Sequence, residues 1–333
     1  MLSETVVLWE KDEYSYPVIG GFLPNIVTYI HDEDDKRRPG MLVVPGGAYC
    51  SVSPTEGELV ALEFYNKGYN AFVVTYTTNL LMTTPLKMQP LMDISKAVRI
   101  VRKKAEEFHI DPDKLILCGF SAGGHLCGSL AAHYDAKELV LGGEYEGVSN
   151  RPDAVILSYS VVSTGEYVHK DSFTALLGAD ATDEELEYMS LEKQVTKNTP
   201  PIFLWHTATD ETVPVEHSYL FAKACKEKGV TFEHHVFGNG PHGLSLANEA
   251  WASGNFSGFY TWQQMLETLQ HALDSHMELP PQFNMLRDIQ EGVSVEDALL
   301  EGMKQFAPPA RPDEGIAVWP LLAHNWLKKV LSF

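Results

Sequence analysis

The chain has 333 residues, 44% of them hydrophobic, which suits one large globular domain or two small ones. Its formal net charge of −20 argues against nucleic acid as a partner, because a phosphate backbone needs basic neutralisation, and it disfavours an anionic membrane surface. No apolar run approaches the ~20 residues of a membrane-spanning helix, and residues 1–5 do not read as a secretory signal, so no membrane partner is expected and a cytoplasmic location is.

Residues 25–30 read as a first strand and 41–44 as a second, which ends at Pro45-Gly46-Gly47. Residues 70–76, rich in valine and aromatics, read as a third. The spacing of Leu91, Ile94, Val98, Val101, Ala105 and Phe108 predicts a helix over 90–109. Asp111-Pro112-Asp113 is expected to break the chain before a strand that starts at Leu115. That strand runs into Gly119-Phe120-Ser121-Ala122-Gly123, and 125–133 reads as a helix. Further strands are expected at 154–159, 202–205 and 231–236, with short helices in the acidic stretch 163–200. This alternation predicts an α/β fold with a mostly parallel central sheet flanked by helices.

Residues 248–314 leave the alternation. Pro280-Pro281 and Pro308-Pro309 divide this stretch, and 259–276 and 294–306 read as helices, the second with Ser294 and Asp297 as its start signal. Phe256, Phe259, Tyr260 and Trp262 give it aromatic surface to bury. An amphipathic helix over Trp319–Leu331 closes the chain. The expectation is a single domain, 1–333, with a helical insertion at 248–314. The four cysteines, Cys50, Cys118, Cys127 and Cys225, are scattered without a Cys-x-x-Cys and read as free thiols of a reducing compartment.

The chemistry is concentrated around Ser121. Strand, sharp turn and helix around Gly-x-Ser-x-Gly form the context of a nucleophile elbow, in which the residues flanking the serine must be tiny. A serine hydroxyl needs an imidazole to take its proton and a carboxylate to orient that imidazole. On such a scaffold the acid and then the histidine follow the serine in the chain. Asp210 lies just past the strand at 202–205, and His242 lies in the glycine-rich loop after the strand at 231–236. Parallel strands share one carboxyl edge, so these loops should open beside the serine. Glu211 is the strongest rival acid, ahead of Asp153, Asp180 and Glu216. His206, His217, His234 and His235 are the other imidazoles, His206 being placed to brace the acid loop. His125 reads as a cap or packing residue. A zinc site from His206, Asp210 and His242 lacks compact ligand spacing, so neither metal nor cofactor is expected. An oxyanion needs fixed N–H donors, and those of Gly47, Ala48 and Ala122 are the candidates.

These motifs resemble the α/β-hydrolase superfamily, in its esterase/lipase group related to hormone-sensitive lipase, and within it the bacterial acetyl esterases and xylanase-associated acetyl (xylan) esterases. The likeness is carried by Pro45-Gly46-Gly47-Ala48-Tyr49, by Gly68-Tyr69-Asn70-Ala71-Phe72-Val73 with Tyr76, by Gly119-Phe120-Ser121-Ala122-Gly123-Gly124-His125, by Asp210-Glu211-Thr212-Val213-Pro214 and by Pro241-His242-Gly243. It spans roughly residues 15–247 and the closing helix. It implies a serine esterase that cleaves short acyl esters, acetyl above all, on a small molecule such as an acetylated sugar or oligosaccharide. It also implies substrate contacts from Tyr49 and Tyr76. An amidase or peptidase would use the same triad, and a non-catalytic binding protein of this fold would be expected to lack one of its members. The insertion 248–314 departs from the resemblance and is expected to serve either as a lid or as an arm that joins a homodimer.

Overall fold

Eight strands pair into one sheet: β1 (Thr5–Val7), β2 (Asn25–Tyr29), β3 (Arg38–Val44), β4 (Asn70–Thr75), β5 (Ile110–Phe120), β6 (Ala154–Ser158), β7 (Ile202–Thr207) and β8 (Phe232–Phe237). The computed structural model describes residues 1–254, 259–290, 292–306 and 311–333; Phe256, Pro308, Pro309 and the side chain of Phe259 lie outside the described residues. The strand order is β1-β2-β4-β3-β5-β6-β7-β8. The two junctions that involve β2 are antiparallel and all the others are parallel.

Continuous apolar runs form the central strands because helices cover both faces. Side chains alternate across the sheet, which splits the core in two. Leu42, Val44, Phe72, Val74 and Leu117 pack against α2 (Gln89–Lys103) and α3 (Ser121–His133). Met41, Val43, Val73, Ile116 and Cys118 pack on the opposite face against α1 (Glu58–Tyr65) and the closing helix. Three short helices, α4 (Lys170–Leu177), α5 (Asp183–Tyr188) and α6 (Leu191–Gln194), fill the acidic stretch before β7, and α7 (Glu216–Lys228) links β7 to β8.

Two boundaries differ from expectation. The fifth strand starts at Ile110, not Leu115: Arg38 pairs with Ile110, and a register shift before Gly40 absorbs the Asp111-Pro112-Asp113 segment as an irregularity in an otherwise paired strand. The preceding helix stops at Lys103 rather than at 109, and the chain turns back at His109, whose φ is +49°.

The insertion holds α8 (Glu249–Ala252), a 3₁₀ turn over Phe259–Trp262, α9 (Gln263–Asp274) and α10 (Val295–Phe306). Ser294 caps α10, its Oγ accepting from the Asp297 N–H at 3.0 Å. The insertion has its own small core, with Trp262, Met265, Leu269, Leu279, Leu286 and Leu299 around Leu80. It docks on the loop after β4, where Gln264 Oε1 accepts from the N–H and hydroxyl of Thr78 at 3.1 and 2.9 Å. Its two ends meet beside the loop after β8. Asp313 N–H donates to Ala247 O at 2.8 Å, and Trp319 Nε1, at the start of α11 (Trp319–Leu331), donates to Ser245 O at 2.8 Å. Among the described residues no helix is long and apolar enough to cross a membrane.

Candidate active site

The carboxyl ends of β3, β5, β7 and β8 lie along one sheet edge, and the segments that follow them carry Gly47 and Ala48, Ser121 and Ala122, Asp210 and His242. Ser121 opens α3 with φ +50°, a conformation that costs energy for a residue with a side chain and that pushes the hydroxyl out of the turn. The helix can come this close to the end of β3 only because position 123 carries no side chain. A Cβ on Gly123 would be driven into the carbonyl oxygens of Val44 and Pro45.

The structure brings Ser121, His242 and Asp210 together. His242 Nε2 lies 2.9 Å from Ser121 Oγ, and its Nδ1 lies 2.6 Å from Asp210 Oδ2. An ionised carboxylate only accepts, so Nδ1 carries the hydrogen and the Nε2 lone pair faces the serine hydroxyl. Asp210 is 5% exposed, and its Oδ1 accepts from the N–H groups of Thr212 and Val213, both at 2.9 Å. Burial opposes its ionisation, but hydrogen bonds from His206, His242 and the Val213 backbone outweigh it and hold the carboxyl well below its ordinary range. His206 donates from Nε2 to Val213 O at 2.8 Å, with Asp210 Oδ2 at 3.4 Å, and so braces the acid loop.

The other rival residues stand outside this hydrogen-bonded line. Glu211 and Asp180 are exposed to solvent. Asp153 pairs with Arg102 at 2.9 Å. His217 Nδ1 accepts from the N–H groups of Val162 and Ser163, His234 meets Ser218, and His235 meets Glu233. His125 is fully buried. Its Nε2 donates to Met189 O at 2.9 Å, and its Nδ1 therefore accepts from the hydroxyl of Tyr49 at 2.7 Å. Among the described residues no cluster of three or more histidine, cysteine, aspartate or glutamate side chains is arranged to hold a metal ion.

The loop after β3 curls over the serine. Gly47, Ala48 and Tyr49 all have positive φ, at +128°, +55° and +60°, and among the described residues the N–H groups of Gly47 and Ala48 have no protein acceptor. Ala122 is the second residue of α3, so its N–H has no intrahelical acceptor either. The expectation that Tyr49 and Tyr76 touch substrate is corrected here. Their rings are 1% and 0% exposed; the Tyr49 hydroxyl is used by His125, and that of Tyr76 donates to Pro45 O at 2.9 Å. They tie the strained loop to α3 and β4.

Sequence reasoning passed over two neighbours of the site. Glu56 is buried and accepts from the Gly46 N–H at 2.7 Å. Tyr159 lays its ring against that of His242 at 4.9 Å between centroids. The only sequence signal for Glu56 was a lone acid between the glycine loop and the apolar helix α1. Beside the acid loop a cleft of about 400 Å³ opens, lined by Tyr167, His169, Lys170, Asp171, Glu211 and Thr212. A second cavity of about 530 Å³ shares Asp171 and runs from Cys50 and Leu81 to Leu279 and Gln282 of the insertion.

A doubly covered sheet in this order, with a serine elbow after β5 and acid and histidine loops after β7 and β8, defines the class of the α/β hydrolases. More narrowly, the chain belongs to the BD-FAE family, which matches residues 27–225, more than half of its length. It is similar to endo-1,4-beta-xylanase B of Butyrivibrio fibrisolvens, at 54% identity over 260 residues, covering 78% of this chain and 40% of that protein. It is also similar to the acetylxylan esterase of Xylanibacter ruminicola, at 30% identity over 242 residues, covering 70% and 44%. The chain thus spans less than half the length of either relative. Among solved structures it is similar to the acetyl ester-xyloside bifunctional hydrolase of Caldicellulosiruptor lactoaceticus, with a TM-score of 0.68 and 35% identity over 83% of this chain and 97% of that one. It is likewise similar to MGS-M1, an alpha/beta hydrolase enzyme from a deep-sea metagenome library, with a TM-score of 0.62 and 25% identity over 100% of this chain and 99% of that one.

Proposed function

We propose that this chain is a serine ester hydrolase that removes short acyl groups, acetyl foremost, from carbohydrate esters and needs no cofactor to do so. The observation that carries the reading is the unbroken hydrogen-bonded line from Asp210 through His242 to Ser121, beneath the N–H groups of Gly47 and Ala48. Ser121 Oγ attacks the ester carbonyl as its proton passes to His242 Nε2. Asp210 keeps the Nδ1 hydrogen in place and stabilises the imidazolium. The carbonyl oxygen becomes an oxyanion and accepts from Gly47, Ala48 and Ala122, each such donor being worth roughly 3–4 kcal/mol in related chemistry. Collapse expels the alcohol, which takes the proton from Nε2. Water then attacks the acyl-enzyme, gives a proton to His242, and releases the acid as Ser121 is reprotonated.

Carbohydrate specificity is supported by the acetylxylan esterase and the acetyl ester-xyloside hydrolase among the relatives. It is also supported by the polar lining of the cleft beside Asp210, which offers carboxylates, a lysine and a threonine to sugar hydroxyls. We read the insertion as a wall of the groove that continues from this cleft, since Leu279 and Gln282 line its second cavity. The four unpaired cysteines support a reducing compartment.

The test is release of acetate from acetylated xylo-oligosaccharides, and of p-nitrophenol from esters of increasing acyl length, by wild type and Ser121→Ala. Turnover should be highest for acetyl and fall by roughly 10⁴-fold or more in the variant. A wild type that cleaves amides but no ester would make the protein an amidase, and undiminished turnover in Ser121→Ala would remove the mechanism altogether.

A further inference from the structure

We propose that Glu56 is a positioning residue of this site: a buried carboxylate that sets the loop bearing two oxyanion donors and places a second negative charge behind His242. Its chemical consequence rests on the esterase reading above; its geometry does not.

Glu56 ends a single 3₁₀ turn, Pro54–Glu56, and is 4% exposed. A buried carboxylate is costly unless it is well hydrogen-bonded. Here Gly46 N–H donates to Oε2 at 2.7 Å, and Tyr159 O–H lies 2.7 Å from Oε1. The direction of the second bond follows from a third. Ser245 N–H can only donate, and it donates to Tyr159 Oη at 3.0 Å, so the tyrosine's own hydrogen goes to Glu56. Both carboxylate oxygens therefore receive hydrogens. These two donors favour the anion, against burial, which pushes its pKa up.

One side chain thereby ties together three parts of the site. Gly46 directly precedes the Gly47 and Ala48 donors. A Cβ on Gly46 would lie 3.1 Å from Glu56 Oε2 and 2.8 Å from Ser121 Cβ, so the carboxylate and the nucleophile flank the same residue. Ser245 fixes the loop that carries His242, and the Tyr159 ring packs on the imidazole. The titratable groups that face His242 are Asp210 from the loop after β7, Glu56, Tyr159 from the end of β6, and His169 from the segment before α4; His206 stands behind Asp210. Of these, Asp210 and Glu56 are the anions, and both favour the imidazolium that forms when Ser121 gives up its proton.

The experiment compares wild type, Glu56→Gln, Glu56→Asp and Tyr159→Phe by kcat and KM on p-nitrophenyl acetate, by the pH profile of kcat/KM, and by the rate at which a fluorophosphonate labels Ser121. Thermal melting establishes folding. In Glu56→Gln the amide NH₂ must face one of two donors, so kcat should fall roughly 10²-fold with KM little changed. The acidic limb of the profile should also move to lower pH, because the imidazolium loses a neighbouring anion. Glu56→Asp should leave the limb in place while kcat stays depressed, and Tyr159→Phe should lose less activity with an unmoved limb. Wild-type kcat in Glu56→Gln, or a loss of kcat with the limb unmoved, overturns the proposal. If Glu56→Gln does not fold, undiminished kcat in the other two variants overturns it. If wild type cleaves no ester, the substrate reading fails while the labelling rate still tests Glu56: equal labelling of wild type and Glu56→Gln would sink it.

Discussion

Replacing Asp210 by asparagine keeps the shape of the side chain and reverses the polarity of one atom. Oδ1 accepts from two backbone N–H groups, of Thr212 and Val213, and Oδ2 faces His242 Nδ1 at 2.6 Å and His206 Nε2 at 3.4 Å. The amide oxygen must stay at the Oδ1 position, because the flipped amide would set its NH₂ against both backbone donors. The NH₂ group then points at His242 Nδ1, which must become an acceptor. Its hydrogen moves to Nε2 and faces Ser121 Oγ, so the imidazole can no longer take the serine's proton. The same exchange in a serine protease triad lowers kcat roughly 10⁴-fold, which corresponds to about 5.4 kcal/mol of transition-state stabilisation. KM should change little. The p-nitrophenol burst on mixing with p-nitrophenyl acetate should disappear on the timescale at which wild type completes it. Asp180→Asn, at an exposed rival carboxylate that does not line the cleft, should stay within about twofold of wild type. Activity of Asp210→Asn within tenfold of wild type, while Ser121→Ala is inactive, would refute the tautomer argument.

Gly123→Ala should destabilise by roughly 1–3 kcal/mol or more, since its methyl group meets backbone carbonyls that cannot rotate away, and an unshifted urea midpoint would contradict this. Tyr49→Phe leaves Nδ1 of the buried His125 without its donor and should cost roughly 1–3 kcal/mol and lower kcat with KM held; a raised KM at unchanged stability would instead make Tyr49 a substrate contact. Burial brings the pKa of His125 down to about 4, while in the unfolded chain it should titrate near 6.5. The unfolded state therefore binds the extra proton between these values, and stability should fall as pH drops through that window, by about 2 kcal/mol at pH 5 from this residue. Urea unfolding at pH 7.5 and pH 5 measures it, and equal stability at the two would exclude the buried neutral imidazole.

The parallel strands were legible because burial on both faces demands continuous apolar runs, and the residues that meet at Ser121 were legible because a strained turn and a serine–histidine–aspartate hydrogen-bonded line admit few residue types at few positions. What escaped depends on partners distant in the chain. The edge strand Thr5–Val7 is partly exposed and is a strand only because β2 offers it a free edge. Pro112 reads as a break, yet pairing of Arg38 with Ile110 extends β5 through it. Tyr49 stands in the loop after β3 and Tyr76 just past β4, and nothing local says that their hydroxyls turn inward. Glu56 is one of 45 acidic residues, and only the folded chain sets it beside Gly46 and Tyr159.

The insertion begins and ends at nearly the same point. Asp313 is bonded to Ala247, and Trp319 reaches back to Ser245, so the long excursion is a closed bight with its mouth pinned shut. Segments of such geometry change length without altering the separation of the chain that flanks them. The insertion can thus lengthen or shorten without parting the two ends that meet at Ala247 and Asp313.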